Sequence, residues 1–135
     1  MEFVSSAKVT PAQVDDLGHL NHVFALQLLE YARDDWYADA ELWEGRRWSG
    51  AENLATLVLN VNVNYREECF LDEDIKINTR PLERGSKSFT LAQQIVKPDG
   101  AIAIEGTVTS LVMDMEQHRT LPVPECLARY LPARK

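Results

Sequence analysis

The stretch Val14-Asp15-Asp16-Leu17-Gly18-His19-Leu20-Asn21-His22 sets a carboxylate and a glycine turn directly before a long apolar segment. After it, Val23, Phe24, Ala25, Leu26, Leu28, Leu29, Tyr31, Ala32, Trp36 and Tyr37 leave polar side chains only at Gln27, Glu30 and the Arg33-Asp34-Asp35 run. This pattern predicts a largely buried helix, capped at Asn21 and running to about Leu42. A carboxylate on a loop held against such a helix is a candidate for chemistry; taken alone, it reads more readily as an Asx turn leading into the helix.

On either side of the helix the pattern is that of strands. Phe3, Ser5, Ala7 and Val9 alternate with Val4, Ser6 and Lys8 until Pro11 stops the ladder, predicting a short first strand. Beyond the helix, Trp43 to Gly50 is turn-rich and bracketed by Gly45 and Gly50. The period then switches to two, with Leu57, Leu59, Val61, Val63 and Tyr65 expected on one face and Val58, Asn60, Asn62, Asn64 and Arg66 on the other. Further strands are expected through Ile75, Ile77 and Thr79, over Phe89 to Lys97, and over Ala101 to Glu116. The turns between them are Asp72 to Asp74, Pro81 to Ser86 and Pro98-Asp99-Gly100. Pro122 and Pro124 end the last strand, and Glu125 to Leu131 suggests a short terminal helix.

The expected fold class is therefore α+β in a single domain, residues 1–135, with one long helix wrapped by a curled antiparallel sheet of about five strands. One such layer covers only one face of its sheet. The alternating apolar strand with an open edge thus predicts at least a homodimer.

A formal net charge of -7 and a pI near 4.9 argue against broad binding to nucleic acid or to an anionic membrane, both of which need clustered Lys and Arg. Within that acidity, Arg80, Arg84 and Lys87, interrupted by Glu83, form a local basic group. It reads either as a phosphate site or as a solvated turn. Cys69 and Cys126 lack CxxC spacing, and the chain start lacks a charged region followed by an apolar run. Reduced thiols in a cytoplasmic, non-membrane protein are the expectation. His19 and His22 beside Asp15 find only His118 as a further histidine, too few converging ligands for zinc, so neither metal nor cofactor is expected. Trp36, Tyr37, Trp43 and Trp48 lack a basic surround and read as packing at the helix end.

Asp15-Asp16-Leu17-Gly18-His19-Leu20-Asn21, followed by Glu30 and Ala32-Arg33, resembles the Asp-x-x-Gly-His-x-Asn signature of hot-dog-fold thioesterases of the 4-hydroxybenzoyl-CoA thioesterase-like group. The order of elements, the Tyr65-Arg66 strand end, the Asp72 to Asp74 turn, the Lys87-Ser88-Phe89 strand start and Leu121-Pro122 extend the resemblance over essentially the whole chain. His22 stands where the group often has a second Asn, and Ala25 where it has a Tyr. These departures bear on the substrate, and Ala25 suggests extra room beside an acyl group.

The resemblance implies hydrolysis of an acyl-CoA thioester, with no cofactor, in a site shared between two subunits of a homodimer or a dimer of dimers. Asp15 takes the place of the catalytic carboxylate, as nucleophile or as general base, and the backbone N–H of His22 at the helix start that of the oxyanion donor. Gly18 lets the loop turn closely, Asn21 caps the helix, and His19 and Glu30 are supporting candidates; Glu30 reads equally as a partner of Arg33. Arg80, Arg84, Lys87 and Ser88 are the expected CoA-binding positions. An acyl carrier protein presents the same pantetheine arm and is an alternative donor. A hot-dog module that binds its acyl ligand without turnover is a second alternative. Enoyl-CoA hydration is a third and weaker one: the corresponding motif is Asp-x-Asn-Pro-x-His, and here Leu17-Gly18 replaces Asn-Pro and Leu20 falls where the His should be.

Overall fold

The computed structural model describes residues 1–44, 47–48 and 53–134. Its strands are β1 (Phe3–Lys8), β2 (Trp43–Glu44), β3 (Arg47–Trp48), β4 (Leu54–Tyr65), β5 (Asp74–Arg84), β6 (Ser88–Val96), β7 (Ile102–Asp114) and β8 (Arg119–Leu121). The helices are α1 (His22–Asp39) and the short α2 (Glu125–Ala128). The main sheet is antiparallel in the order β1-β5-β6-β7-β4, and β8 pairs with β7 at Val112 to Asp114. That makes six strands where about five were expected. The sixth spans only Arg119–Leu121, too short to show a period. This is the hot-dog arrangement, one long helix against one antiparallel sheet.

The helix starts where its cap predicts, with the Asn21 side chain accepting from the Val23 amide. It ends at Asp39, short of Leu42, because the Ala40 amide closes back on Trp36 and Glu41 takes a left-handed φ of 61°. Ala25, Leu28, Leu29, Ala32 and Trp36 form one buried stripe, packed towards β1 and β5. The opposite face, with Val23, Leu26 and Tyr31, is exposed, so α1 is buried along one stripe where its composition predicted a largely buried helix.

Two core clusters share this stripe. Ala25, Leu28 and Leu29 join Ile75, Ile77, Ile95 and Ile104 near the start of α1, whereas Trp36 and Tyr37 join Phe89, Leu91, Val112 and Leu127 at its end. Ala25 is 1% exposed within the first cluster, so its small side chain is packed in the core. Trp36, Tyr37 and Trp48 are buried as expected; the side chain of Trp43, with Gly45 and Gly50, lies outside the described residues.

β4 departs from its sequence reading. The register with β7 slips between Val58 and Asn60, a bulge at Leu59. Val61, Val63 and Tyr65 therefore share a face with Val58, while Leu57 is turned to the other side. One inserted residue reverses every side chain beyond it, which simple alternation cannot reveal. β4 is also the open edge of the sheet, and Leu57, Val58, Leu59, Val61 and Tyr65 are between 38% and 58% exposed.

Candidate active site

Asp15 sits in a loop closed on itself. Its amide donates to the His19 carbonyl, the Gly18 amide donates to the Asp15 carbonyl, and Gly18 has a φ of +79°. The carboxylate is held from within the loop, with Oδ1 accepting from the amides of Leu17 at 2.9 Å and His19 at 3.2 Å. Both donors fall on one oxygen, and Asp15 is exposed. The loop leads directly into α1, whose first-turn amides have no carbonyl of their own helix to bond. Val23 is served by Asn21, and the exposed His22 follows that cap at the first helical position.

The loop rests on the segment between β4 and β5. The Leu20 amide donates to the Cys69 carbonyl, the Leu71 amide to the Gly18 carbonyl, and His19 bridges to Phe70. His19 Nδ1 stands 3.1 Å from Glu68 Oε1, and its ring meets the Phe70 ring edge-on at 4.9 Å. Alongside lies a cleft of about 270 Å³ walled by Leu20, Tyr65, Cys69 and Ile104 and rimmed by Arg66, Glu67 and Glu68. Burial pushes the Cys69 thiol above its ordinary range, with Glu73 adding to the effect.

Asp15, Gly18, His19, Asn21 and His22 are thus gathered at one end of the molecule. Glu30 is not among them: it lies about 12 Å along the helix from His22. There it acts on the half-buried Arg33 guanidinium, whose pKa is lowered mainly by burial and is opposed by the charges of Tyr37, Glu30 and Asp34. Arg33 itself donates to Gln93, a buried amide that in turn donates to the Leu29 carbonyl and the Thr79 hydroxyl.

The four expected CoA-binding positions, Arg80, Arg84, Lys87 and Ser88, are also divided. A slip between Pro81 and Glu83 puts Arg80 opposite Ala92 on the outer face of the sheet and Arg84 opposite Phe89 on the helix side. Arg80 lines a separate cavity of about 260 Å³ with Asn78, Gln94 and Glu105. Arg84, Lys87 and Ser88 stay together at the turn into β6, the end of the sheet away from Asp15. Arg84 Nε is buried without a hydrogen-bond partner among the described residues. The chain terminus adds a further cation. The Arg134 amide donates to the Arg84 carbonyl, Arg134 Nε stands 3.1 Å from Glu83, and its guanidinium approaches Gly85 beside Ser88. Sequence reading missed Arg134, Glu68 and Lys97, because only the fold brings these distant positions to the loops they serve.

The sequence pattern of the thioesterase-like superfamily matches residues 9–131. The chain belongs to that superfamily. It is a thioester hydrolase with the hot-dog fold. Among similar proteins, the long-chain acyl-CoA thioesterase FadM of Escherichia coli K12 is 29% identical over 115 residues, covering 84% of this chain and 85% of FadM. The solved structure of YbaW, a probable thioesterase from Escherichia coli, is 26% identical with a TM-score of 0.79, and the match covers 94% of each chain. SAV2348 of Staphylococcus aureus, solved in complex with CoA, shares the fold at 16% identity and a TM-score of 0.81, with 100% of this chain and 89% of that one covered. In this thioesterase-like chain the Asp15 loop, its shelf and the start of α1 all lie inside the matched region. No helix among the described residues is long and apolar enough to cross a membrane.

Proposed function

We propose that this thioesterase hydrolyses acyl-CoA to the free acid and coenzyme A, with Asp15 as the reacting carboxylate. The observation that carries the reading is the exposed Asp15 carboxylate, fixed by two amides on Oδ1 just before a helix N-terminus. By one route Oδ2 attacks the thioester carbon, the C–S bond breaks, CoA leaves as its thiolate, and water then cleaves the resulting anhydride. By the other, Oδ2 takes a proton from water, the water oxygen attacks, and the thiolate leaves and is protonated. In either case the developing oxyanion is held by the His22 amide, supported by the helix dipole. The acyl group lies in the cleft of Leu20, Tyr65 and Ile104 beside the loop. The acyl-CoA substrate named for FadM and the CoA bound to SAV2348 support the choice of donor.

The site is built by two copies in a homodimer, which pairs again as a dimer of dimers. Ile104, in the cleft wall, and Leu111, opposite Ser88, are both on β7 and about 23 Å apart along the strand. Asp15 and the Arg84, Lys87 and Ser88 turn are thus at opposite ends of one copy. A second copy laid antiparallel along the apolar open edge of β4 brings its own turn to the first copy's Asp15, with CoA phosphates on Arg84, Lys87, Ser88 and Arg134. The decisive experiment measures thiol release from short, long and aryl acyl-CoA substrates by the wild type and a folded Asp15→Ala variant. A loss of at least about 100-fold in kcat is expected for the variant. Undiminished turnover overturns the role of Asp15, and a wild type inactive on every acyl-CoA but active on acyl carrier protein overturns the donor.

A further inference from the structure

We infer that Lys97 is a positioning residue for the Asp15 loop, acting through the shelf beneath it. Lys97 stands at the end of β6, where its amide closes the hairpin onto Ala101, far in sequence from the loop it supports. Its side chain is only 13% exposed, low for a lysine, and it reaches into one short segment, residues 68–73. Nζ donates to the Glu68 carbonyl, stands 3.5 Å from Glu73 Oε1, and lies 4.8 Å from the centre of the Phe70 ring. The same Glu73 oxygen accepts from the Phe70 amide at 2.6 Å, closing a small network around one cation.

Of the three residues that Lys97 grips, Glu68 and Phe70 meet the Asp15 loop directly and Glu73 ties into Phe70. Glu68 faces His19 Nδ1, and Phe70 packs edge-on against the same imidazole. Cys69 and Leu71, between and beside them, hydrogen-bond to Leu20 and Gly18. His19 in turn both donates to Asp15 Oδ1 and accepts from the Asp15 amide. A continuous path of contacts therefore runs from Lys97 through residues 68–73 to His19 and to the carboxylate. Lys97 is a cation at its base, set where it satisfies a carbonyl, a carboxylate and an aromatic face together. Without it, Glu68 and Glu73 are left as like charges under the loop, and the shelf loses the post that fixes its height. Misplacing a reacting group by about 1 Å costs on the order of 100-fold in rate, whereas substrate held by other surfaces still binds.

This inference rests on the Asp15 mechanism proposed above, so its test carries Asp15→Ala alongside. Steady-state kinetics on the best acyl-CoA substrate are compared for the wild type, Lys97→Met, Lys97→Arg, Phe70→Leu and Lys8→Met, with folded fraction measured for each. Lys8 is the control: it loses an exposed ion pair to Asp74 at 3.5 Å without touching the shelf. The expected result is a fall in kcat of about 10–100-fold for Lys97→Met with KM within about twofold. Lys97→Arg recovers a substantial part of the loss, Phe70→Leu shows a smaller fall of the same kind, and Lys8→Met is unchanged. A folded Lys97→Met with wild-type kcat overturns the inference, as does a fall that only tracks lost folded protein. If Lys97→Met does not fold, Phe70→Leu decides: wild-type kcat in that variant overturns it. Asp15→Ala inactive beside an unaffected Lys97→Met refutes this inference alone, while a fully active Asp15→Ala refutes the mechanism on which it rests.

Discussion

Gly18 shows how much of the site hangs on one backbone angle. Its φ of +79° belongs to glycine, yet an added Cβ would meet nothing within 4 Å. A Gly18→Ala substitution therefore carries a purely conformational cost, about 1–2 kcal/mol. Denaturant unfolding should show that loss, and Gly18→Asn should lose less, because asparagine tolerates the left-handed region better. Equal losses for the two would remove the conformational explanation. The sequence made Gly18, Asn21 and Asp15 legible because a turn, a cap and a carboxylate are local requirements written in adjacent residues. Glu68, Phe70 and Lys97 are not legible in that way. Their roles come from tertiary neighbours, and a Glu-Glu pair or a lysine before Pro98 reads as ordinary solvated surface.

Among the elements, α1 and the β4–β7 pair carry the largest consequences. Tyr37, near the end of α1, is buried, and that burial holds its phenol well above the ordinary tyrosine range, with Arg33 and the Thr56 hydrogen bond pulling the other way. The unfolded chain ionises near pH ~10 and the folded chain only at higher pH. The folded state thus keeps the proton longer, and stability is intact below about pH 10 and falls as pH rises above it. Unfolding curves taken through this window should fall more steeply for the wild type than for Tyr37→Phe; parallel curves would assign the alkaline loss elsewhere. In β7, a Cβ on Gly106 would stand 2.1 Å from the Asn62 carbonyl oxygen and 2.9 Å from Val63 Cα. Both are backbone atoms of β4, so the pairing itself must move. Gly106→Ala should cost about 3 kcal/mol, measured by chemical denaturation, and a neutral result would show that the strands can separate freely there. The sequence foresaw the helix, its cap and the long strands through their periods. It could not foresee the slips at Leu59 and beside Leu82, since a bulge leaves the apolar count unchanged while reversing which face is which.

The whole molecule is governed by its exposed β4 edge. If each site takes Asp15 from one copy and Arg84 and Lys87 from the other, two crippled proteins can repair each other. An Asp15→Ala chain and an Arg84→Ala/Lys87→Ala chain, each nearly inactive alone, should regain roughly a quarter of wild-type activity after unfolding and refolding together, because half the dimers are mixed and each has one intact site. No recovery despite confirmed mixed dimers would confine the site to a single copy. The acidic balance that argues against nucleic acid as a partner does not bear on the β4 edge, where Leu57, Val58, Leu59, Val61 and Tyr65 are exposed.

The two amides that hold Asp15 Oδ1 ask only for a carbonyl-type oxygen, not for a charge. The side-chain oxygen of asparagine meets that request in the same place. If Asp15 is the reacting carboxylate, Asp15→Asn therefore keeps the loop's shape while removing its reactivity, a silent decoy of the working enzyme. Soaked with uncleaved thioester, such crystals would hold the intact substrate long enough for its acyl group to be seen.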